Sequence, residues 1–332
     1  MTDDAQPVRI GILGAARIAP AGVVKPARAN PEAEVVAVAS RDAERARRFA
    51  EKHRVPKVHA NYDELLLDDQ IDAVYNPLPN GLHARWTIAA LEAGKHVLCE
   101  KPFTSNAAEG ESVAATAERT GRVVMEAFHY RYHPLAQRML EIVESGELGA
   151  VQHIDTALCF PLPMFSDIRY QYELAGGATM DVGAYTVHMA RLLGREEPKV
   201  AGARPKLRNR DVDRAMTADL QFPSGHTARV THSMWSSNVL RAHARVTGDL
   251  GEMRVLNPTS PQLWHRLHVR SEAGARNERF SRRPTYEYQL DAFCAAVLRG
   301  EPTLTPPSDS IANMRVIDDI YAAAGMRLRG LT

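Results

Sequence analysis

The sequence predicts an α/β protein in two parts: a doubly wound parallel sheet over residues 1–125, then an α+β part over residues 126–332 with a mostly antiparallel open sheet. Three observations lead there. At 332 residues the chain exceeds one comfortable hydrophobic core, which favours two. The first third alternates short apolar runs rich in β-branched residues with helical patterns of about 10 to 15 residues, the mark of consecutive βαβ units. After about Glu126 the rhythm changes to longer strand-like segments joined by turn residues.

Taken in order, strands are expected at residues 8–13, 35–39, 73–76, 96–99 and 122–125, with helices at 43–52, 82–93 and 107–120 between them. Right-handed crossovers assemble such strands into one parallel sheet. A helix at 135–144 then leads through Gly146 and Gly149 into a strand at 151–158, and a helix at 181–193 precedes strands at 216–222, 227–234 and 243–247. Two closing helices, at 286–298 and 309–324, flank the proline-bounded loop 302–307, and the last is a candidate to pack back on the first part. No internal repeat or low-complexity tract interrupts this plan.

Bulk properties narrow the partners. Hydrophobic content of 45%, charged content of 24% and a net charge of +1 describe a globular chain without the field that draws proteins to nucleic acid or an anionic membrane. A small solute is the expected partner. No stretch approaches the roughly 20 apolar residues that span a bilayer, and the opening MTDDAQPVRI lacks a signal-peptide core, so a cytoplasmic location is expected. Cys99, Cys159 and Cys294 are far apart without CxxC spacing and are expected as reduced, mostly buried thiols. No histidine and carboxylate spacing resembles a metal site, so none is expected.

The segment Gly11, Ile12, Leu13, Gly14, Ala15, Ala16, Arg17, Ile18, Ala19 stands where the first strand turns into a helix. Backbone N–H groups there carry partial positive charge and hold a pyrophosphate if small residues allow its approach. The usual G-x-G-x-x-G is degraded here to Gly14-x-Ala16-x-x-Ala19, a weak motif by itself whose plain alternative is a tight strand-to-helix turn. Where an NAD enzyme commonly places an acid after the second strand, this chain has Ser40 and Arg41, with Asp42 displaced and Arg45 one turn on. A hydroxyl and a guanidinium suit the dianionic 2′-phosphate of NADP, which is favoured over NAD; the bland alternative is a set of solvated charges with Asp42 as an N-cap.

Further along, Pro79, Asn80 and His83 follow the third expected strand, and Glu100, Lys101 and Pro102 follow the fourth. Ligands of open α/β sheets bind at the carboxyl edge, which directs Lys101 toward a bound nicotinamide. The run from Ala175 to Tyr185 joins a glycine-rich approach to a helix whose i, i+4 spacing sets Asp181 and Tyr185 on one face, with His188 a turn beyond.

These motifs together resemble the glucose-fructose oxidoreductase and inositol dehydrogenase (Gfo/Idh/MocA) family over essentially the whole chain. The resemblance rests on Glu100-Lys101-Pro102, on Pro79-Asn80-x-x-His83 and on Gly176-Gly177-x-x-x-Asp181-x-Gly183-x-Tyr185, in that family's order. Residues 125–134, MEAFHYRYHP, are similar to the branch with NADP-linked D-xylose dehydrogenases, dihydrodiol dehydrogenases and 1,5-anhydrofructose reductases. The resemblance implies a Rossmann domain, a second domain with an open antiparallel sheet, and frequent dimerisation, so a homodimer or higher homo-oligomer is expected. It also implies that Lys101 lies beside the reacting carbon and the cofactor ribose. Tyr185 stands where inositol dehydrogenases have histidine, which moves the proton carrier from imidazole to phenol and favours the sugar-dehydrogenase branch.

The chemistry expected is hydride transfer between NADP(H) and a carbon of a sugar or related polyol. Tyr185 exchanges the proton, and Lys101, as a nearby positive charge, draws the phenol's pKa down from its ordinary value. Asp181 is expected to orient substrate or lysine, and His188 to line the pocket or relay a proton. Asn80 and His83 are candidates for the nicotinamide half, Glu100 for the cofactor ribose, and Arg169 for cofactor or substrate; a loop cap is the plain alternative for the first three. His129, Tyr130, Arg131 and Phe160 are candidate pocket walls, with Tyr130 and Phe160 equally readable as core. Two other functions stay open: a cofactor-retaining glycosidase or epimerase, and a non-catalytic NADP-sensing regulator.

Overall fold

The computed structural model describes residues 6–330. By their internal contacts these fall into two units, and the first is assembled from three stretches, ending at Thr104, spanning Ala108–His129 and spanning Pro284–Ser310. The second comprises Ser105–Ala107, Tyr130–Arg283 and the chain from Ile311 onward. A single boundary at 125/126 therefore does not describe the chain. The penultimate helix, not the body of the last, groups with the first unit.

The first unit is a six-stranded sheet of β1 (Val8–Leu13), β2 (Ala33–Ala39), β3 (Lys57–His59), β4 (Ala73–Asn76), β5 (His96–Cys99) and β6 (Val124–Glu126). Every pairing is parallel and the order is β3-β2-β1-β4-β5-β6, so the winding reverses between β1 and β4. Parallel strands covered on both faces read as continuous apolar runs, and β4 is buried at all four positions. The crossovers carry α1 (Lys25–Ala29), α2 (Ala43–His53), α3 (Tyr62–Leu66), α4 (His83–Glu92) and α5 (Ala107–Thr120). Ligands of such sheets sit where the winding reverses, at the carboxyl ends of the strands.

In the second unit α6 (Pro134–Glu144) precedes β7 (Val151–Cys159), and α7 (Ala184–Gly194) precedes β8 (Lys199–Leu207). The sheet continues with β9 (Asp213–Gln221), β10 (Thr227–Ser233), β11 (Arg241–Gly248), β12 (Glu252–Leu256), β13 (Arg266–Ser271) and β14 (Gly274–Glu278). The eight strands run in the order β14-β13-β12-β11-β7-β10-β9-β8, and only β7 and β10 are parallel. Helix α7 covers one face, packed on β7 and β10. The closing helices are α8 (Thr285–Arg299) and α9 (Pro307–Ala323). Cys99, Cys159 and Cys294 are free and buried. Among the described residues no helix is long and apolar enough to cross a membrane.

Candidate active site

At the end of β1 the chain turns on Gly14, whose φ of +96° lies in a region that residues with a Cβ rarely adopt, while its N–H bonds to the Ala39 carbonyl at 2.7 Å. A methyl group there would meet Leu78 Cδ2 at 3.0 Å. Ala15 and Ala19 are buried, Ala16 and Ile18 are half-buried, and Arg17 is exposed. Gly11 lies within β1, where a Cβ would meet Leu65 at 2.8 Å, so this glycine serves packing rather than the loop. The turn is small-walled at the edge where the winding reverses, as a pyrophosphate site requires.

At the end of β2, Ser40 is buried and receives the Asp42 N–H at 3.4 Å, while Arg41 is exposed. Asp42 caps α2 through the Arg45 N–H at 3.0 Å, and that bond holds its carboxyl below the usual range. Arg45 is spent differently from the expectation of phosphate support. Its Nε and Nη2 donate to the Ala15 carbonyl at 3.1 and 2.8 Å, which ties the glycine loop to α2. Arg41 is an exposed guanidinium at this corner, close enough to Tyr62 for its charge to act on that phenol.

His83 is also placed otherwise than expected. Its ring is buried with Nδ1 2.7 Å from the Pro102 carbonyl and Nε2 2.7 Å from that of Leu78, so no ring nitrogen is left for a nicotinamide. The ring instead fastens the loop after β4, which holds Pro79 and Asn80, to the chain leaving β5. Glu100, a candidate ribose contact, is buried and accepts the Tyr75 hydroxyl at 2.6 Å on Oε1, while its Oε2 receives the Lys101 N–H at 3.3 Å. Tyr75 reaches it past Gly22, where a Cβ would lie 2.2 Å from the phenol oxygen.

Lys101 is half-buried just past β5. His129 is fully enclosed near it: burial first, and the lysine charge second, push its imidazole down to about 3. The His129 Nδ1 meets Thr285 Oγ1 at 2.8 Å, and its ring lies tilted against Tyr286 with the centroids 4.1 Å apart. Burial and then the Glu100 charge push the Tyr286 phenol up. Thr285 and Tyr286 thus join the surroundings of Glu100 and Lys101 from α8. Nothing local in the sequence marks them, because their partner His129 lies more than 150 residues earlier.

Within the second unit the chain enters α7 through a wider π turn, Thr179–Gly183, so the helix expected from 181 starts earlier and with a different pitch. The shared face of Asp181 and Tyr185 was drawn from 3.6-residue geometry; a π turn shifts that register, and such turns recur at functional sites. Asp181 Oδ2 lies 3.5 Å from Arg169 Nε, so Arg169 is an ion partner of Asp181. Tyr185 is nearly buried, its ring centroid 6.0 Å from that of Tyr130. The Tyr130 hydroxyl in turn lies 2.6 Å from His188 Nδ1, both groups being buried. Arg131 is buried with Nη1 lacking a partner among the described residues, and Phe160 packs with Leu162 on a cluster of Tyr170, Ala178, Val182, Val212 and Met234.

A buried polar network that sequence reasoning missed pins the segment carrying Asp181 and Tyr185. Asp213 Oδ2 accepts from the Thr179 N–H at 2.8 Å and hydroxyl at 2.7 Å; its Oδ1 receives the Tyr321 hydroxyl at 3.0 Å and Arg329 Nη2 at 3.3 Å. Arg329, fully buried, also donates from Nε to the Gly176 carbonyl at 2.8 Å. His232 then bridges Thr179 and Thr186 through its two nitrogens at 3.0 and 3.1 Å, and burial holds this imidazole down at about 3. Little in the sequence marks it, because Asp213 stands in the charged run Arg210, Asp211, Val212, Asp213, Arg214, which reads as solvated surface.

Comparisons with known proteins agree with this construction. The family model of an oxidoreductase family with an NAD-binding Rossmann fold matches residues 8–128, and that of the GFO/IDH/MocA C-terminal domain matches residues 136–254. A D-xylose 1-dehydrogenase (NADP+) of Haloferax volcanii is 39% identical over 95% of this chain and 96% of its own length. A dTDP-3,4-didehydro-2,6-dideoxy-α-D-glucose 3-reductase of Actinomadura kijaniata is 34% identical over 97% of each chain. The crystal structure of a 3-ketoreductase from A. kijaniata, with NADP and TDP-benzene, superposes with a TM-score of 0.89 at 31% identity, covering 96% of this chain and 98% of that one. An aldose-aldose oxidoreductase from Caulobacter crescentus, with glycerol, gives a TM-score of 0.89 at 26% identity over 96% and 98%.

Proposed function

Because the chain belongs to the GFO/IDH/MocA oxidoreductase family, we propose that it is an NADP(H)-dependent dehydrogenase or reductase acting on a carbinol or carbonyl carbon of a sugar or related polyhydroxylated molecule. The observation that carries the reading is the position of Lys101. It leaves β5 at the same carboxyl edge as the Gly14 turn, next to the reversal of the winding. A cation placed there lies where a nicotinamide would be presented.

The residues present fit a dinucleotide. The small-walled turn at Gly14 would take the pyrophosphate on its backbone N–H groups, and the exposed Arg41 beside Ser40 would take the 2′-phosphate of NADP in preference to NAD. When bound, NADP supplies the hydride acceptor, and NADPH the donor. In oxidation the substrate C–H bond breaks with its electron pair while the O–H proton passes to the oxygen of deprotonated Tyr185; reduction is the reverse. Lys101 stabilises the alkoxide that develops on the substrate oxygen and favours the charged form of the phenol. Asp181, paired with Arg169, orients the substrate, and His188 with Tyr130 extends the proton path. A cytoplasmic homodimer or higher homo-oligomer belongs to the same proposal.

The test is a panel of aldoses, inositols, anhydrosugars and trans-dihydrodiols incubated with NADP at alkaline pH, with NADPH followed at its absorbance. At least one should be oxidised by the wild type, and Lys101→Ala should lower kcat/KM by about 10² or more. If no compound yields NADPH, none is interconverted, and Lys101→Ala alters nothing measurable, the dehydrogenase reading is wrong. Conversion without net NADPH would point instead to hydride leaving and returning within one turnover.

A further inference from the structure

Because β7 and β10 are parallel neighbours and β9 and β11 are antiparallel to them, one end of the eight-stranded sheet gathers Cys159, Ser233, Asp213 and Arg241. The two segments leaving that end are stitched together: the Phe160 N–H bonds to the Ser233 carbonyl at 3.0 Å and the Leu162 N–H to that of Met234 at 2.6 Å. Beyond the stitches both segments turn large apolar side chains outward. Met164, Phe165, Ile168, Trp235, Val239 and Leu240 are exposed, from 38% for Phe165 to 77% for Leu240. Scattered apolar residues on a surface need no explanation; six on two adjoining segments do.

This surface is built. Phe165 meets Trp235 edge-on at 6.4 Å and Tyr170 at 5.3 Å, and the Arg208 guanidinium lies over its ring at 4.5 Å. Arg214 Nη1 donates to the Trp235 carbonyl at 2.6 Å, and the Trp235 N–H bonds back to the Arg214 carbonyl at 3.2 Å. The Tyr170 hydroxyl holds the Leu162 carbonyl at 2.9 Å.

It also adjoins the proton-carrying segment. Ile168 precedes Arg169, the ion partner of Asp181, and Tyr170 packs with Val182, which lies between Asp181 and Tyr185. On the other strand, His232 seats Gly183 so closely that a Cβ there would lie 2.8 Å from its Nε2, and the chain reaches Trp235 three residues later. Two of the segments that hold Asp181 and Tyr185 in place thus also present the apolar surface.

From this we infer that Met164, Phe165, Ile168 and Trp235 form a substrate subsite for an apolar ring or alkyl group attached to the hydroxylated part of the substrate. The inference rests on the reading of Asp181 and Tyr185 as the reacting end. It names the substrate class: a polyol or sugar with an apolar substituent, in preference to the bare compound. The substituent lies against Phe165 and Trp235, removing both rings from water, and an aromatic substituent gains an edge or offset contact as well.

Isothermal titration calorimetry in the presence of NADP tests it without requiring turnover. The probes are pairs differing only in the substituent: D-glucose with 6-O-benzyl-D-glucose, and methyl with phenyl β-D-glucoside. In the wild type the substituted member of at least one pair should bind tenfold or more tightly. Phe165→Ser with Trp235→Ser should bring that ratio toward one, and Phe165→Tyr with Trp235→Phe should restore most of it; thermal melting shows that each variant folds. Equal affinities within both pairs in the wild type would overturn the subsite. So would serine variants that keep the ratio but lower the particle mass in light scattering, which would make the surface a contact between copies of the chain. A tenfold contrast with no NADPH formed from any sugar would leave the subsite standing and remove the hydride reading instead.

Discussion

At the residue scale, the roles of Lys101, Tyr185 and Arg41 separate by experiment. Tyr185→Phe keeps the ring against Tyr130 but removes the exchangeable proton, so kcat should fall by about 10² to 10⁴ with KM little changed. The pH profile of the residual activity should lose the limb that belongs to the phenol. Arg41→Ala should weaken NADP binding by tenfold or more and leave NAD binding nearly unchanged; an unaltered preference in fluorescence titrations would reassign the 2′-phosphate contact. Arg45→Ala acts through the Ala15 carbonyl, so it should weaken both cofactors alike. Lys101, Tyr185 and the Gly14 turn were legible in the sequence because each sits at a strand or helix end whose position the hydrophobic pattern defines. The engagement of His83 by two carbonyls was not, since nothing in a loop sequence tells which backbone oxygens will face a ring.

At the scale of elements, the segment from Thr179 to Thr186 depends on a fully buried ion pair, Asp213 with Arg329. Removing one member of such a pair strands the other in a medium that penalises charge. Arg329→Met should therefore cost about 3 kcal/mol in urea denaturation, and Asp213→Asn added to it should recover part of the loss. Gly14→Ala should cost about 1 to 3 kcal/mol, because alanine meets both the positive φ and Leu78. Among the strands, β1, β4 and β5 were read to the residue. Strands β3, β8, β12, β13 and β14 were not singled out: β3 has three residues, too few to show a period, and most of β8 and β14 lies in or near solvent, which removes the apolar alternation that signals a strand. The π turn was missed for another reason: its sequence reads as ordinary helix, and its pitch is set by what packs against Gly183.

At the scale of the whole molecule, two buried imidazoles set a pH limit on folding. His129 and His232 are both held near 3, so they are neutral in the folded chain, whereas in the unfolded chain they take up protons below about 6.5. The unfolded state then binds more protons, and the stability these residues allow is complete above that value and lost as pH falls toward 3. Each contributes a slope of up to about 1.4 kcal/mol per pH unit. Thermal melts between pH 7 and pH 4.5, above the range where most carboxylates titrate, should show a falling midpoint. His232→Gln should melt lower at pH 7 but depend less steeply on acid; an equal slope would mean that His232 is not the group that titrates.

The first unit draws its α8 from beyond residue 284, after some 150 residues that belong to the second. During synthesis the nucleotide-binding half must therefore wait, incomplete, until most of the polypeptide has left the ribosome, with His129 lacking both Thr285 and the ring of Tyr286. Cutting the gene just after His129 would reproduce that unfinished state, and a short linker grafting residues 284–310 onto the fragment would supply what it lacks.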